Sequence, residues 1–306
     1  MTDAVAFPYG SPVAFGAALK DRIQAAANES AYTMTELRRQ FAYDRLLARV
    51  FAASPGSWIL KGGGGLLARI PGQARHSMDI DLFYRGELET AVSDLDHLGS
   101  DDSFGDFFTF DISPNPGQFA DGATGLNLGV AAFLGETEFQ RFNIDLVVSS
   151  NMTKEPDVVD GLAPVSIPGL RVVDYIVYSV VDHVADKHAA MIDTYGVGDR
   201  PSTRYRDLID LVLVATTQHV DAVELRTALL SEYQHRGLDV PTAVVAPDDS
   251  WTAGFAREAA KVPHLKQETL SAALVVVNGL LEPVLACEAA GTWSPDQLQW
   301  IGIAET

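Results

Sequence analysis

The sequence predicts an α+β protein. Three observations carry that reading. Two amphipathic stretches open the chain, β-former-rich segments fill its centre, and from Leu170 onward the hydrophobic spacing is mostly helical.

The spacing predicts two helices over residues 11–53. Ser11-Pro12 places a capping hydroxyl before a proline suited to a first helical turn. Thr33 with Glu36 matches a capping box, and Met34, Leu37, Phe41, Leu47 and Phe51 then recur at near-helical spacing. Ser54-Pro55-Gly56 stops the second helix. Ser57 to Leu60 reads as a short strand that runs into Lys61-Gly62-Gly63-Gly64-Gly65. A short helix through Leu66, Leu67 and Ile70 is expected next, ended by Pro71-Gly72. Met78 to Tyr84 reads as a strand and Glu87 to Leu98 as a helix behind it. Extended segments are expected near 107–112, 126–134 and 138–149.

The character changes near Pro164–Pro168. Helices are expected at 171–195, 202–218, 221–236, 251–261, 267–286 and 295–302, with loops at Gly196 to Pro201 and Pro241 to Asp249. The expected division is into residues 1–165 and 166–306. Cys287 falls in an apolar helical stretch and is expected in the core.

The chain has 306 residues, room for about two domains. It carries 41 Asp and Glu against 22 Lys and Arg, a formal charge of −19. That balance argues against a protein that coats nucleic acid, because neutralising phosphates takes Lys and Arg. Cys287 is the only cysteine, which excludes disulfides within the chain and thiolate zinc clusters. The Met1-Thr2-Asp3-Ala4-Val5 start lacks a basic region before an apolar one, and Leu270 to Ala290 is broken by Asn278, Gly279, Glu282 and Pro283. The expectation is a cytoplasmic protein without a membrane anchor. His183 and His188 stand five apart and do not share a helix face, so they are not expected to bind zinc.

The informative run is Lys61 to Gly65 followed by Arg75-His76-Ser77-Met78-Asp79-Ile80-Asp81-Leu82. On a strand, alternate residues share a face, so Asp79 and Asp81 project together while Ile80 and Leu82 point to a core. Two such carboxylates repel unless a cation lies between them. A hard cation with oxygen ligands fits, and Mg²⁺ commonly completes its shell with phosphates. The alternative is a pair of solvent-facing strand acids. The glycines leave backbone N–H groups uncovered, and such a turn can approach a phosphate closely.

Together these residues resemble the signature of the AbiEii/AbiGii-type nucleotidyltransferase toxins, which include the MenT-like toxins of mycobacteria and belong to the DNA polymerase β-like superfamily. Asp145, within Asn143-Ile144-Asp145-Leu146, matches the family's third acidic residue. Lys187 matches its helical lysine, and Arg204 to Leu211 matches its Arg/Asp helix. The resemblance spans about residues 57–215.

It implies a mixed β-sheet core with flanking helices and a helical C-terminal domain that contributes Lys and Asp to the cleft. It also implies transfer of a nucleotide from an NTP to an RNA acceptor, the tRNA 3′ end, by a toxin with a cognate antitoxin. Asp79 and Asp81 would hold Mg²⁺, with two metals possible. Asp145 would complete the metal site or accept the proton of the attacking hydroxyl. Lys187 would neutralise phosphates, and Asp207, or alternatively Asp210, would position it. Lys61, Gly62, Gly63, Gly64, Arg75 and Ser77 would hold the nucleotide. A phosphate placed on Ser77 by an antitoxin would repel substrate.

Transfer to a small molecule or a protein, and a silent binding protein of the same fold, are the rival readings. An RNA-acting enzyme with this acidity needs a local basic path. Lys61, Arg69, Arg75, Arg85, Lys187, Arg200, Arg204 and Arg206 flank the site motifs in sequence and are expected to form it.

Overall fold

The computed structural model describes residues 6–54, 56–115, 125–196, 200–262 and 264–302. The expectations that fall on residues 1–5, on Pro55 and on residues 197–199 of the expected loop lie outside them.

The chain gathers into two compact units. The first comprises Met1–Gly72, His76–Ser150 and Asp157–Val177, and the second Gln73–Arg75, Asn151–Pro156 and Tyr178–Thr306. The first unit thus takes twelve residues beyond the expected boundary at 165, and the second reaches back for two short segments.

The first unit opens with α1 (Pro12–Glu29) and α2 (Met34–Ala53). Ser11 caps α1 by accepting from the Ala14 N–H, and Thr33 and Glu36 form the expected capping box of α2. Then follow β1 (Trp58–Lys61), α3 (Gly62–Arg69), β2 (Asp79–Tyr84), α4 (Leu88–Ser100), β3 (Phe108–Pro114), β4 (Gly125–Leu134), β5 (Thr137–Val147), β6 (Asp157–Val159) and β7 (Tyr175–Val177). The seven strands form one mixed sheet in the order β3-β4-β5-β2-β1-β7-β6. β2 runs parallel to β5 and β1 parallel to β7, while β1/β2, β3/β4, β4/β5 and β6/β7 are antiparallel.

One sheet face is core. Leu60, Ile80, Leu82, Leu128, Ile144 and Leu146 are buried there, and α2 packs against β5 and β7. α2 also brings charge into that core. Asp44, Arg45 and Arg49 are buried with Asp106. Arg49 grips Asp106 with both Nη atoms at 2.7 and 3.2 Å and donates to the Phe108 carbonyl at 2.8 Å. Asp44 pairs with Arg45 and accepts from the Tyr175 hydroxyl at 2.6 Å. Every charge is thus paired, which a buried ion requires.

Residues 171–195 were expected to be one helix. Their first part is instead β7, because Tyr175 and Val177 are buried beside β1, with Leu60 opposite Val177. The helix starts only at α5 (Val180–Ile192), capped by Ser179.

The second unit continues with β8 (Thr194–Tyr195), β9 (Arg200–Pro201), α6 (Tyr205–Thr217), β10 (Val220–Asp221), α7 (Ala222–Arg236), α8 (Trp251–Ala259), α9 (Leu270–Leu285), β11 (Thr292–Ser294) and β12 (Gln299–Ile301). α6 packs against α5, α8 and α9. Residues 295–302 were expected to be helical. Ser294 does start a turn, accepting from the Leu298 N–H through its carbonyl, but the turn stops after one cycle. The chain then pairs back, Trp300 against Trp293, whose indole is buried and donates to the Ala215 carbonyl at 2.7 Å. Cys287 is exposed just beyond α9 at φ 62°, and not in the core. Among the described residues, no helix is long and apolar enough to cross a membrane.

Candidate functional site

The polar face of the sheet in the first unit is set by strand register. Lys61 on β1 lies opposite Asp81 on β2, Asp81 beside Asp145 on β5, and Asp145 opposite Asn127 on β4. The next row runs Asp79, Asn143, Gly129 and Ser113. Because side chains alternate along each strand, these residues share one face while Ile80, Leu82, Ile144 and Leu146 fill the other. Asp79, Asp81 and Asp145 are therefore neighbours on adjacent parallel strands, as their motifs predict.

Their surroundings differ. Ser77 is buried, and its hydroxyl donates to Asp79 Oδ1 at 3.0 Å. Expected to serve a phosphate, Ser77 is thus engaged with the carboxylate two residues on. Asp145 is half-buried and accepts from the Asn127 side-chain amide. Desolvation, with the Asp79 charge adding to it, holds the Asp145 carboxyl above its ordinary range against that hydrogen bond. Among the described residues, no three of His, Cys, Asp and Glu are grouped so as to hold a metal ion by themselves.

The glycine run, expected to bring its N–H groups to a phosphate with a short helix following, is itself the first turn of α3, and of its four glycines only Gly62 has left-handed backbone, at φ 54°. A Cβ on Gly62 would overlap the Asp81 carboxylate, so this residue has to be glycine for the carboxylate to lie where it does. Gly64 and Gly65 are buried, and side chains there would press on Leu60 at 3.3 and 3.1 Å. Gly64 therefore serves the packing of α3 on β1. Gly62 and Gly63 stand at the helix N-terminus, where N–H groups have no partner within the helix. Lys61 at the end of β1 donates to Ser150 Oγ at 2.8 Å.

The second unit holds a buried charge cluster. Lys187 on α5 is 6% exposed and reaches both Asp207 at 2.7 Å and Asp210 at 2.8 Å on α6. Spacing left Asp207 and Asp210 as alternatives, and both contact the lysine. Arg75 grips Asp210 with two bonds at 2.9 and 2.8 Å, and Arg204 pairs with Asp207 at 3.0 Å. Burial pulls the Lys187 ammonium down, but Asp207 and Asp210 outweigh it and hold its pKa above the ordinary lysine value. Burial likewise pushes Asp210 up, and Arg75 and Lys187 outweigh it, leaving it at about 2. Three cations meet two carboxylates, and of the three only Arg204 is more than half exposed.

The expected basic path is reduced by these pairings. Arg69 pairs with Asp157 and Arg206 with Glu258. Arg85 follows the end of β2 six residues beyond Asp79, about 20 Å along the strand. Sequence reasoning missed the amides of Asn115, Asn127 and Asn143. Their signal was the alternation Asn127-x-Gly129-x-Ala131 beside Arg141-x-Asn143-x-Asp145, which puts polar or small residues on one strand face.

Against known proteins, the family profile of the nucleotidyl transferase AbiEii toxins of type IV toxin–antitoxin systems matches residues 45–275. No curated protein matches. Among solved structures, the chain is similar to MenT4, a nucleotidyltransferase toxin from Mycobacterium tuberculosis H37Rv. The identity is 16% over 88% of this chain and 98% of that one, with a TM-score of 0.53. A structure from H. pylori ascribed to a nucleotidyltransferase aligns at 15% identity over 82% of this chain and 96% of that one, with a TM-score of 0.48. At 16% identity the likeness to MenT4 speaks for the fold, and the family rests on the profile, which spans well over half of the sequence. The chain belongs to the AbiEii family of nucleotidyltransferase toxins.

Proposed function

We propose that this protein is a Mg²⁺-dependent nucleotidyltransferase that moves a nucleotide from an NTP to the tRNA 3′ end. It would do so in the cytoplasm as a toxin held in check by a cognate antitoxin. The observation that carries this reading is the convergence of Asp79, Asp81 and Asp145 on one sheet face, with the Asp81 carboxylate laid against the first residue of α3. The three acids do not form a closed metal set. A magnesium ion is commonly held by one or two carboxylates and completed by substrate phosphates.

Mg²⁺ on Asp79 and Asp81 would supply the positive charge that neutralises the triphosphate oxygens. Ser77, hydrogen-bonded to Asp79, fixes the orientation of that carboxylate. Gly62 and Gly63 offer N–H groups to the phosphates. The acceptor's 3′ oxygen forms a bond to the α-phosphorus, the bond from that phosphorus to the α–β bridging oxygen breaks, and pyrophosphate leaves. The proton of the attacking hydroxyl passes to Asp145, which stands beside Asp81 on the same sheet face. Within the second unit, Lys187 and Arg204 hold Asp207 and Lys187 holds Asp210.

Incubation with each labelled NTP, Mg²⁺ and total tRNA tests the proposal. The expected result is label on tRNA, lost in Asp79→Ala. Absence of transfer with all four nucleotides, with Asp79→Ala indistinguishable from wild type, would overturn it. Label on a protein or small molecule instead would replace the acceptor and keep the chemistry.

A further inference from the structure

On the same sheet face, beyond Asp145 and away from α3, the first unit has an open cleft of about 520 Å³ over β3, β4 and β5. Its volume lies within the usual range of small-ligand sites. A ladder of amides borders it. Asn115 Nδ2 donates to Asn127 Oδ1 at 2.5 Å and to Asn143 Oδ1 at 3.2 Å, and Asn127 Nδ2 donates in turn to Asp145. Gly129 lies beneath Asn115, whose Oδ1 is the nearest atom a Cβ there would meet.

Among the described residues, two ends of this ladder have no protein partner: the Asn143 Nδ2 donor and the Asn115 Oδ1 acceptor. A donor beside an acceptor is the pattern that reads the edge of an unpaired base, as Asn does with adenine. The Arg39 side chain adds positive charge at the same cleft, where Arg141 is paired with Glu138 at 2.6 Å and Asp111 also lines the wall.

We propose that this cleft is the acceptor subsite, taking the terminal nucleoside of a single strand. This rests on the nucleotidyltransferase reading above. The base would lie against the Asn115 and Asn143 amides, with the preceding phosphate toward Arg39. Asn143 and Asp145 are two residues apart on one strand face, about 6–7 Å. That spacing lets a ribose hydroxyl reach Asp145 while its base stays on the amides. The triphosphate comes from the other side, because Gly62 and α3 adjoin β1, whereas the cleft lies over β3, β4 and β5. Donor and acceptor then meet at Asp145 from opposite sides of β5.

The test uses the full chain, ¹⁵N-labelled, with AMP, CMP, GMP and UMP added singly and without NTP or Mg²⁺. At least one is expected to move the Gly129 and Asn143 amide resonances with millimolar affinity. Gly129→Val, which fills the floor with a residue suited to a strand, should weaken that binding at least tenfold. Asn115→Ala, just past the end of β3, is a second variant that leaves the strand pairing untouched and should act likewise. No shift with any of the four, or binding that both variants leave unchanged, overturns the subsite. In the transfer assay the variants should raise the KM for the acceptor at least tenfold and leave that for the NTP within twofold. The reverse split would assign the cleft to the donor nucleotide and overturn the proposal. A wild-type protein that transfers nothing defeats the nucleotidyltransferase reading, while the monophosphate titration still decides the cleft.

Discussion

The Asp81 carboxylate fills the space that a side chain on Gly62 would take, and Gly62 holds a left-handed backbone at φ 54° to let it do so. A residue of the glycine run and a residue of the acidic motif, nineteen positions apart, thus form one structural device. The β1/β2 register explains it, since Lys61 lies opposite Asp81 and the chain turns into α3 at the next residue.

Gly62→Ala is therefore expected to lower nucleotidyl transfer at least about 100-fold, the scale of a misplaced catalytic group. Its cost in stability should stay near the backbone penalty of about 1–2 kcal/mol for a left-handed alanine. Gly72→Ala supplies the control. It carries the same kind of backbone penalty at φ 79° with open space around it, and should leave transfer unchanged. Initial rates and thermal melts on the two variants check this.

Asp145→Asn should raise stability and end transfer. Burial first, and the Asp79 charge next, hold the Asp145 carboxyl above its ordinary value. A folded pKa above the unfolded one means the native state favours the proton, so ionising Asp145 at neutral pH costs the fold. The asparagine keeps the acceptor for Asn127 and removes that cost. The melting temperature of the variant should exceed that of wild type at pH 7, and the gap should close as pH falls through the raised pKa. Transfer should drop by about 100-fold or more with loss of the base.

The Lys187 cluster predicts an acid transition. Asp210 is lowered from 3.8 to about 2 because Arg75 and Lys187 outweigh its burial. A lowered carboxylate contributes stability that is present above the unfolded pKa and lost as pH falls through the folded one, here between about 4 and 2. The contribution at pH 7 is about 2 kcal/mol. Asp210→Asn should cost about 3–5 kcal/mol at pH 7, since it strands Arg75 and Lys187, and the deficit should shrink across that window. Urea unfolding at pH 7, 4 and 2.5 reads both.

Asp106→Ala should destabilise the first unit by about 3–5 kcal/mol, because it leaves Arg49 buried and uncompensated at 0% exposure. Replacing the pair together, Arg49→Met with Asp106→Leu, should cost less than either single change. Urea titrations on the three variants provide the comparison.

What was legible in the sequence was local. The caps of α1 and α2 at Ser11 and Thr33, the alternation that sets Asp79 and Asp81 against Ile80 and Leu82, and the order of the motifs all depend on neighbours a few residues away. Such neighbours are fixed by strand and helix periodicity. The family resemblance rests on the same short spacings, and the profile match over residues 45–275 bears it out.

Tertiary structure decided the rest. Residues 175–177 became a strand because β1 offered an unpaired edge beside a buried site for Tyr175 and Val177, an energy term that helical spacing cannot register. Residues 299–301 left the helix that Ser294 began because Trp300 found Trp293 across a hairpin. Only the register of β4 on β5 reveals that Asn127 serves Asp145, and only the fold of α5 on α6 shows Lys187 enclosed by both Asp207 and Asp210. The sequence by itself determined which residue types would face each other along one element. Pairing between strands and burial between helices, which join residues tens of positions apart, determined what each of those residues does.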